Sequence, residues 1–120
     1  MSDFNYQLLE KALDAASLRQ KAISSNIANI NTPGYKVNKV VFEDQLKKAL
    51  EQTKAPMSTS RLNELTPEMV KRTDTTIKDN GNNVDLDLEM TEKAANEIYY
   101  NALITQLNAK YAMLNYVISN

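Results

Sequence analysis

The chain contains neither cysteine nor histidine nor tryptophan, and only two glycines and three prolines among its 120 residues. Without thiols or imidazoles it cannot build the common zinc sites, a thiol nucleophile, a disulfide or an imidazole general base. No metal site and no cofactor are therefore expected, and carboxylate pairs such as Asp85 and Asp87 are the only raw material for catalysis. Their alternate spacing points them apart on an extended segment, and they sit where acids cap a helix, so no catalytic residue is assigned. Charge of one sign is also missing: the net charge is -1, with Lys and Arg scattered among acids as in Glu43, Asp44, Lys47, Lys48 and Glu51. Such a surface has no basic groove for nucleic acid, and Tyr99, Tyr100, Tyr111 and Tyr116 do not make a stacking platform without one. No small-molecule substrate is indicated. No run approaches the ~20 apolar residues that span a bilayer, and Met1 to Gln7 carries no basic segment leading into an apolar one. A protein of this kind that leaves the cytoplasm is expected to do so without a cleavable signal peptide.

The scarcity of helix breakers leaves two long uninterrupted segments, about residues 7–30 and 87–118. In the first, Tyr6, Leu9, Leu13, Ala16, Gln20, Ile23, Ile27 and Ile30 alternate at three and four residues, a heptad seam with Gln20 as its one polar member. A helix of ~25 residues is about 38 Å long and needs an equally long partner. The second segment offers one through Tyr100, Ile104, Leu107, Tyr111, Leu114 and Ile118, with Leu103 and Val117 widening the stripe. Asp85, Asp87, Glu89 and Glu92 place its start between residues 85 and 87. The proximal part, interrupted by Lys93, Asn96 and Glu97, is the weaker half, and the distal half is the adhesive one.

Between the helices, Val37, Val40, Val41 and Phe42 favour a strand, and Glu43 to Gln52 a short helix with Phe42, Leu46 and Leu50 on one side. Thr53 to Pro67 reads as a loop. Val70 to Ile77 reads as extended, with Asp79-Asn80-Gly81 able to close a small hairpin onto Asn83 to Leu86. The fold class is mainly α: an N-terminal coiled-coil helix over 1–31, an irregular middle with some β structure over 32–84 and a C-terminal coiled-coil helix over 85–120. Together they form one structural domain, since a second core would need roughly 100 further residues.

Two strings carry more than periodicity. In Ser25-Asn26-Ile27-Ala28-Asn29-Ile30-Asn31-Thr32-Pro33-Gly34-Tyr35-Lys36, Asn31 suits a helix C-cap, Pro33 drives Thr32 out of the helical region and Pro-Gly fits a type II turn. The string resembles the N-terminal signature of the flagellar axial proteins of the rod and hook. A second, Gly81-Asn82-Asn83-Val84-Asp85-Leu86-Asp87-Leu88-Glu89-Met90, resembles the segment that opens the C-terminal helix in the family's proximal rod member. The likeness covers about residues 8–46 and 79–118, and 120 residues leave no room for the inserted domains of distal rod and hook relatives.

The resemblance implies a structural subunit of the proximal rod of the basal body, part of the drive shaft that carries torque to hook and filament and that motility requires. It implies terminal helices packed as the inner wall of a helical tube, copies of the chain and other rod proteins as partners, and contact with the export gate or membrane ring at the base. It implies a rod in the periplasm reached through the flagellar type III apparatus. The family motif and turns comprise Asn26, Ile27, Asn29, Thr32, Pro33, Gly34, Tyr35, Gly81, Asn82, Asn83 and Asp85. The helix–helix interface comprises Leu9, Leu13, Ile23, Ile27 and Ile30 against Tyr100, Ile104, Leu107, Tyr111, Leu114 and Ile118, within or between subunits. The rival reading is a cytoplasmic helical adaptor or export chaperone that holds a partner helix through the same heptads.

Overall fold

In the computed structural model, which describes residues 2–52, 58–73 and 75–119, the chain is mainly α-helical. Helix α1 spans Ser2–Ala28, strand β1 Asn38–Val41, helix α2 Glu43–Glu51, helix α3 Thr59–Glu64, strand β2 Glu68–Lys71 and helix α4 Leu86–Ser119. Helices α1 and α4 lie antiparallel: Asn26 meets Glu89, Ala16 meets Asn96, and the rings of Tyr6 and Tyr111 meet edge-on at 5.2 Å. The molecule is long and thin, 63 × 32 × 16 Å, because these two helices set its length.

The face α1 turns inward is its small one. Ala12, Ala15, Ala16 and Ala22 are buried, and the first three join Phe42 and Leu103 in the core, with Leu8, Leu9, Leu13 and Leu65 packed around them. Alanine lets helix and neighbour approach closely and spends no side-chain entropy on doing so. Phe42, the residue before α2, fills the space beside these alanines and is 1% exposed. Burying a side chain of that size contributes about 1.5–3 kcal/mol.

Helix α1 ends earlier than its apolar period suggests, at Ala28 instead of residue 31. The Asn29 N–H is shared between the carbonyls of Ser25 and Asn26, the Ile30 N–H turns to Ile27, and the Asn82 amide draws the carbonyls of Asn29, Ile30 and Thr32 out of the helical ladder. Ile30 therefore lies in a turn. The next turn is the expected one: Tyr35 N–H donates to the Thr32 carbonyl across Pro33-Gly34, and Gly34 has φ 75°.

Strand β1 is where the valines placed it, but its partner is β2, antiparallel with Asn38 opposite Lys71 and Val41 opposite Glu68. The expected hairpin from Val70–Ile77 onto Asn83–Leu86 does not form. The turn at 78–82 closes, with Gly81 N–H on the Lys78 carbonyl and Lys78 N–H on that of Asn82. Beyond it Asn83 N–H bonds Tyr35 instead, so the segment docks on the exit of α1.

The loop expected over Thr53–Pro67 is also corrected: residues 53–57 lie outside the described residues, and the rest contains α3. Ser58 caps it by accepting from the Arg61 N–H at 3.2 Å, and Leu62 is fully buried. Lys11 of α1 donates to the carbonyls of Leu65 and Asn63, which ties this segment to α1. Six residues are too few for a periodic signal.

The chain's two glycines meet. A Cβ on Gly81, whose φ is 83°, would lie 3.3 Å from the Gly34 Cα, whereas one on Gly34 would meet nothing within 4 Å. The left-handed backbone alone costs a non-glycine residue roughly 1–2 kcal/mol. Gly34→Ala should therefore lower the unfolding free energy by about that amount, and Gly81→Ala by more, in urea denaturation. Equal losses would mean that the approach of the two turns is not tight.

Candidate functional site

The residues that end α1 and those that open α4 converge on one buried polar junction. The Asn26 side chain is fully buried, and its amide nitrogen donates to Glu89 Oε1 at 2.6 Å and to the Asn38 carbonyl at 2.9 Å. Its oxygen accepts from the Asn38 N–H at 3.0 Å and the Tyr35 hydroxyl at 3.1 Å. All four hydrogen-bonding positions of the amide are used, which neither Asp nor Leu could reproduce. Ser25 Oγ lies 3.0 Å from the same Tyr35 hydroxyl.

Glu89, fully buried in the first turns of α4, takes Arg72 Nη1 on its other oxygen at 2.7 Å. Its position near a helix N-terminus is favourable for a negative charge. The Arg72 carbonyl accepts from Asn83 Nδ2, and Asn83 Oδ1 accepts from the Val37 N–H at 2.7 Å. Asn82 Oδ1 accepts from the Val84 N–H while its amide holds the three carbonyls after α1. Asn29 bonds back to the Ser25 carbonyl and accepts from the Thr32 hydroxyl. Lys36 Nζ reaches the Gly81 carbonyl, and Gly34 N–H the Asn80 carbonyl. Asp85 caps α4, its side chain accepting from the Leu88 N–H at 3.2 Å.

Sequence reasoning named Asn26, Asn29, Asn82, Asn83 and Asp85 but missed the ion pair. Glu89 was visible as one acid among several near a helix start, and Arg72 sits in a segment with no period. Of the motif residues, Ile27 is half-buried, Thr32, Pro33 and Gly34 are exposed, and Tyr35 and Gly81 are half-buried.

The helix–helix set divides. Ile23 is buried, and Leu9, Leu13, Ile27, Ile30, Ile104 and Leu107 are half-buried. Tyr100, Tyr111, Leu114 and Ile118 are 38, 44, 47 and 73% exposed. The line of closest burial on α4 runs instead through Glu89, Asn96 and Leu103, seven residues apart. Asn96 donates to the Ala16 carbonyl at 2.9 Å and lies 3.4 Å from Gln20 Oε1. Beyond Tyr111, Met113 and Val117 are 69 and 70% exposed, and α4 runs past the first residues of α1. On the other side of the pair, Arg19 bridges to Glu43 at 2.8 Å. Burial raises the nearby Tyr99 phenol above its ordinary value, Glu43 adds to the rise and Arg19 opposes it, so this hydroxyl stays protonated at neutral pH.

Among the described residues no cluster of acids is arranged to hold a metal ion, and no helix is long and apolar enough to cross a membrane. What the geometry shows is a buried polar junction and an exposed apolar helix end. A sequence model described as "Flagella basal body rod protein" matches residues 7–36, a stretch that holds most of α1 and its exit turn. The chain is 41% identical over 118 residues to the flagellar basal body rod protein FlgB of Bacillus subtilis (strain 168), covering 94% of this chain and 92% of that one. It is 35% identical to FlgB of Borreliella burgdorferi, over 92% of this chain and 93% of the relative, and 30% identical to FlgB of Escherichia coli (strain K12), over 84% and 83%. The chain belongs to the family of flagellar basal body rod proteins, at the FlgB branch of it. It is a structural subunit of the basal body rod and not an enzyme.

The junction makes a quantitative prediction. Removing one partner of a buried ion pair strands the other and costs about 3–5 kcal/mol, whereas replacing both by apolar residues of similar size is often close to neutral. Arg72→Met and Glu89→Met should each destabilise by about that much in urea, and the double variant should be more stable than either single one. Losses that simply add would show that the two side chains do not act as a pair.

Proposed function

We propose that this chain builds the proximal part of the rod, joining copies of itself and neighbouring rod proteins through its terminal helices and seating on the components at the base of the basal body. The observation that carries this reading is the meeting of the two signature strings in one junction, which fixes α1 against α4 while the apolar end of α4 stays uncovered. A torque-bearing shaft needs subunits whose inter-helix geometry does not slip, and polar groups buried at a heptad seam set register more sharply than apolar ones do. In this proposal Asn26, Asn29, Asn82, Asn83 and Asp85 hold the turns, Pro33 and Gly34 redirect the chain, and Leu9, Leu13, Ile23, Ile27, Ile30, Ile104 and Leu107 shape the helix pair. Tyr100, Tyr111, Leu114 and Ile118 face other subunits.

The proposal includes passage through the flagellar type III apparatus as an unfolded chain, without a cleaved signal peptide, to a periplasmic position. A chain without cysteine crosses into an oxidising compartment with no thiol to mispair. The whole chain then acts as one structural domain, with α1 and α4 as its coiled-coil ends.

Deletion of the gene, followed by swimming assays and imaging of basal bodies, tests the reading. The expected result is loss of motility with basal bodies that lack a rod, restored by the intact gene. Normal rods in the deletion strain would overturn it.

A further inference from the structure

Asn80 is the only asparagine of the sequence that is followed by glycine, and the pair lies in the turn before α4. Glycine has no Cβ to shield its backbone nitrogen or to restrict the approach of that nitrogen to the preceding side chain. In a free chain the Gly81 nitrogen can therefore give up its proton and attack Cγ of Asn80. A bond forms between that nitrogen and Cγ, the bond from Cγ to Nδ2 breaks, and the side-chain nitrogen takes up a proton and leaves as ammonia. Water then opens the cyclic imide that remains. Opening at the side-chain carbonyl gives aspartate. Opening at the main-chain carbonyl gives isoaspartate, whose backbone runs through the side chain and is longer by a methylene.

The folded chain engages both reacting groups. Gly81 N–H donates to the Lys78 carbonyl at 2.8 Å, and Asn80 Oδ1 accepts from the Asn82 N–H at 3.1 Å. The Asn80 carbonyl accepts from the Gly34 N–H at 2.8 Å, and Lys36 Nζ reaches the Gly81 carbonyl, so the exit turn of α1 clamps this peptide from outside. Asn80 is exposed, and what restrains it is this set of bonds and not the exclusion of water. We propose that Asn80-Gly81 is a spontaneous deamidation site that the junction silences, so that the chain ages there only while it is unfolded.

The two products differ in what they do to the junction. Asn80 uses its side-chain oxygen and its carbonyl, whereas its Nδ2 holds no partner among the described residues, so aspartate preserves every bond. Isoaspartate displaces the carbonyl that Gly34 bonds and lengthens the chain beside Gly81, where a Cβ would already lie 3.3 Å from the Gly34 Cα. That product should not rebuild the junction. The inference stands apart from the rod reading, which adds only a setting: a chain exported unfolded carries this peptide unprotected until it folds.

The test uses the purified full chain, held at neutral pH in buffer or in guanidinium chloride, and follows the peptide released by cleavage after Lys78 and Lys93. Mass spectrometry reads the conversion of amide to acid at Asn80, and enzymatic methyl labelling identifies isoaspartate. Conversion should be at least about tenfold slower in buffer, because the rate is divided by the opening equilibrium of the turn. Gly81→Ala should suppress it in guanidinium chloride, where folding plays no part. Of the products, Asn80→Asp made genetically should unfold at the parent's urea midpoint, and the isolated isoaspartyl chain at a lower one. Equal rates in the two solvents would overturn the protection. Conversion at Asn82 or Asn83 in place of Asn80, or undiminished conversion in Gly81→Ala, would overturn the site. An isoaspartyl chain as stable as its parent would overturn the consequence drawn for the junction. None of these results bears on whether the chain builds a rod, which the gene deletion decides.

Discussion

The carboxylate of Glu89, held between the Asn26 amide and the Arg72 guanidinium, is the interaction on which the arrangement of the chain depends. It is fully buried at the start of α4, and an ionised carboxylate there is tolerable only because both oxygens are bonded. One bond fixes the end of α1 and the other fixes the segment after β2, so three parts of the chain distant in sequence share a single charge. The asparagines then extend the hold into backbone: Asn26 onto both polar groups of Asn38, Asn83 onto Val37 and Arg72, Asn82 onto the carbonyls released at the end of α1. Such a network stabilises little beyond what an apolar core would, since desolvation offsets much of the gain. What it confers is position. Two helices packed through alanines have a smooth contact with few knobs to resist sliding, and polar partners at Glu89 and Asn96 remove that freedom.

Position is what a rod subunit has to supply. The packing that secures it consumes the small face of α1 and the polar line of α4, which leaves the large apolar residues of both helices partly uncovered. Tyr100, Leu114 and Ile118 are exposed for that reason, and not because the chain has failed to bury them. Contiguous exposed apolar area is a general mark of interaction surfaces. Amides and the Arg72–Glu89 ion pair occupy the buried junction, while large aliphatic and aromatic side chains at the end of α4 remain exposed.

Much of this was legible in the sequence, and the failures have physical causes. The two long helices followed from the absence of Gly and Pro and from the spacing of Leu, Ile and Tyr, and the α4 start followed from Asp85 acting as a cap. Pro33-Gly34 gave the exit turn because both residues restrict backbone angles locally. Strand pairing was misjudged because Asp79-Asn80-Gly81 is a valid turn signal, and only the long-range bonds of Asn82 and Asn83 draw the following segment elsewhere. Helix α3 was missed because one turn and a half held by Ser58 and the burial of Leu62 leaves no period to read. Arg72 was invisible since its role is defined by a glutamate 17 residues away. The heptads were found, but heptad spacing reports that a face is apolar and not which neighbour, internal or external, covers it.

The central claim is that the junction binds α1, the middle region and α4 into one cooperative unit. Native-state hydrogen exchange at low denaturant tests it most directly, through the amides of Val37, Asn38, Asn83 and Val84 that are bonded within the junction. These should open only with global unfolding, at the same free energy as the amides of Ala15, Ala16 and Ile23 in the middle of α1. Exchange of the junction amides at a distinctly lower free energy, while the centre of α1 stays protected, would contradict the account.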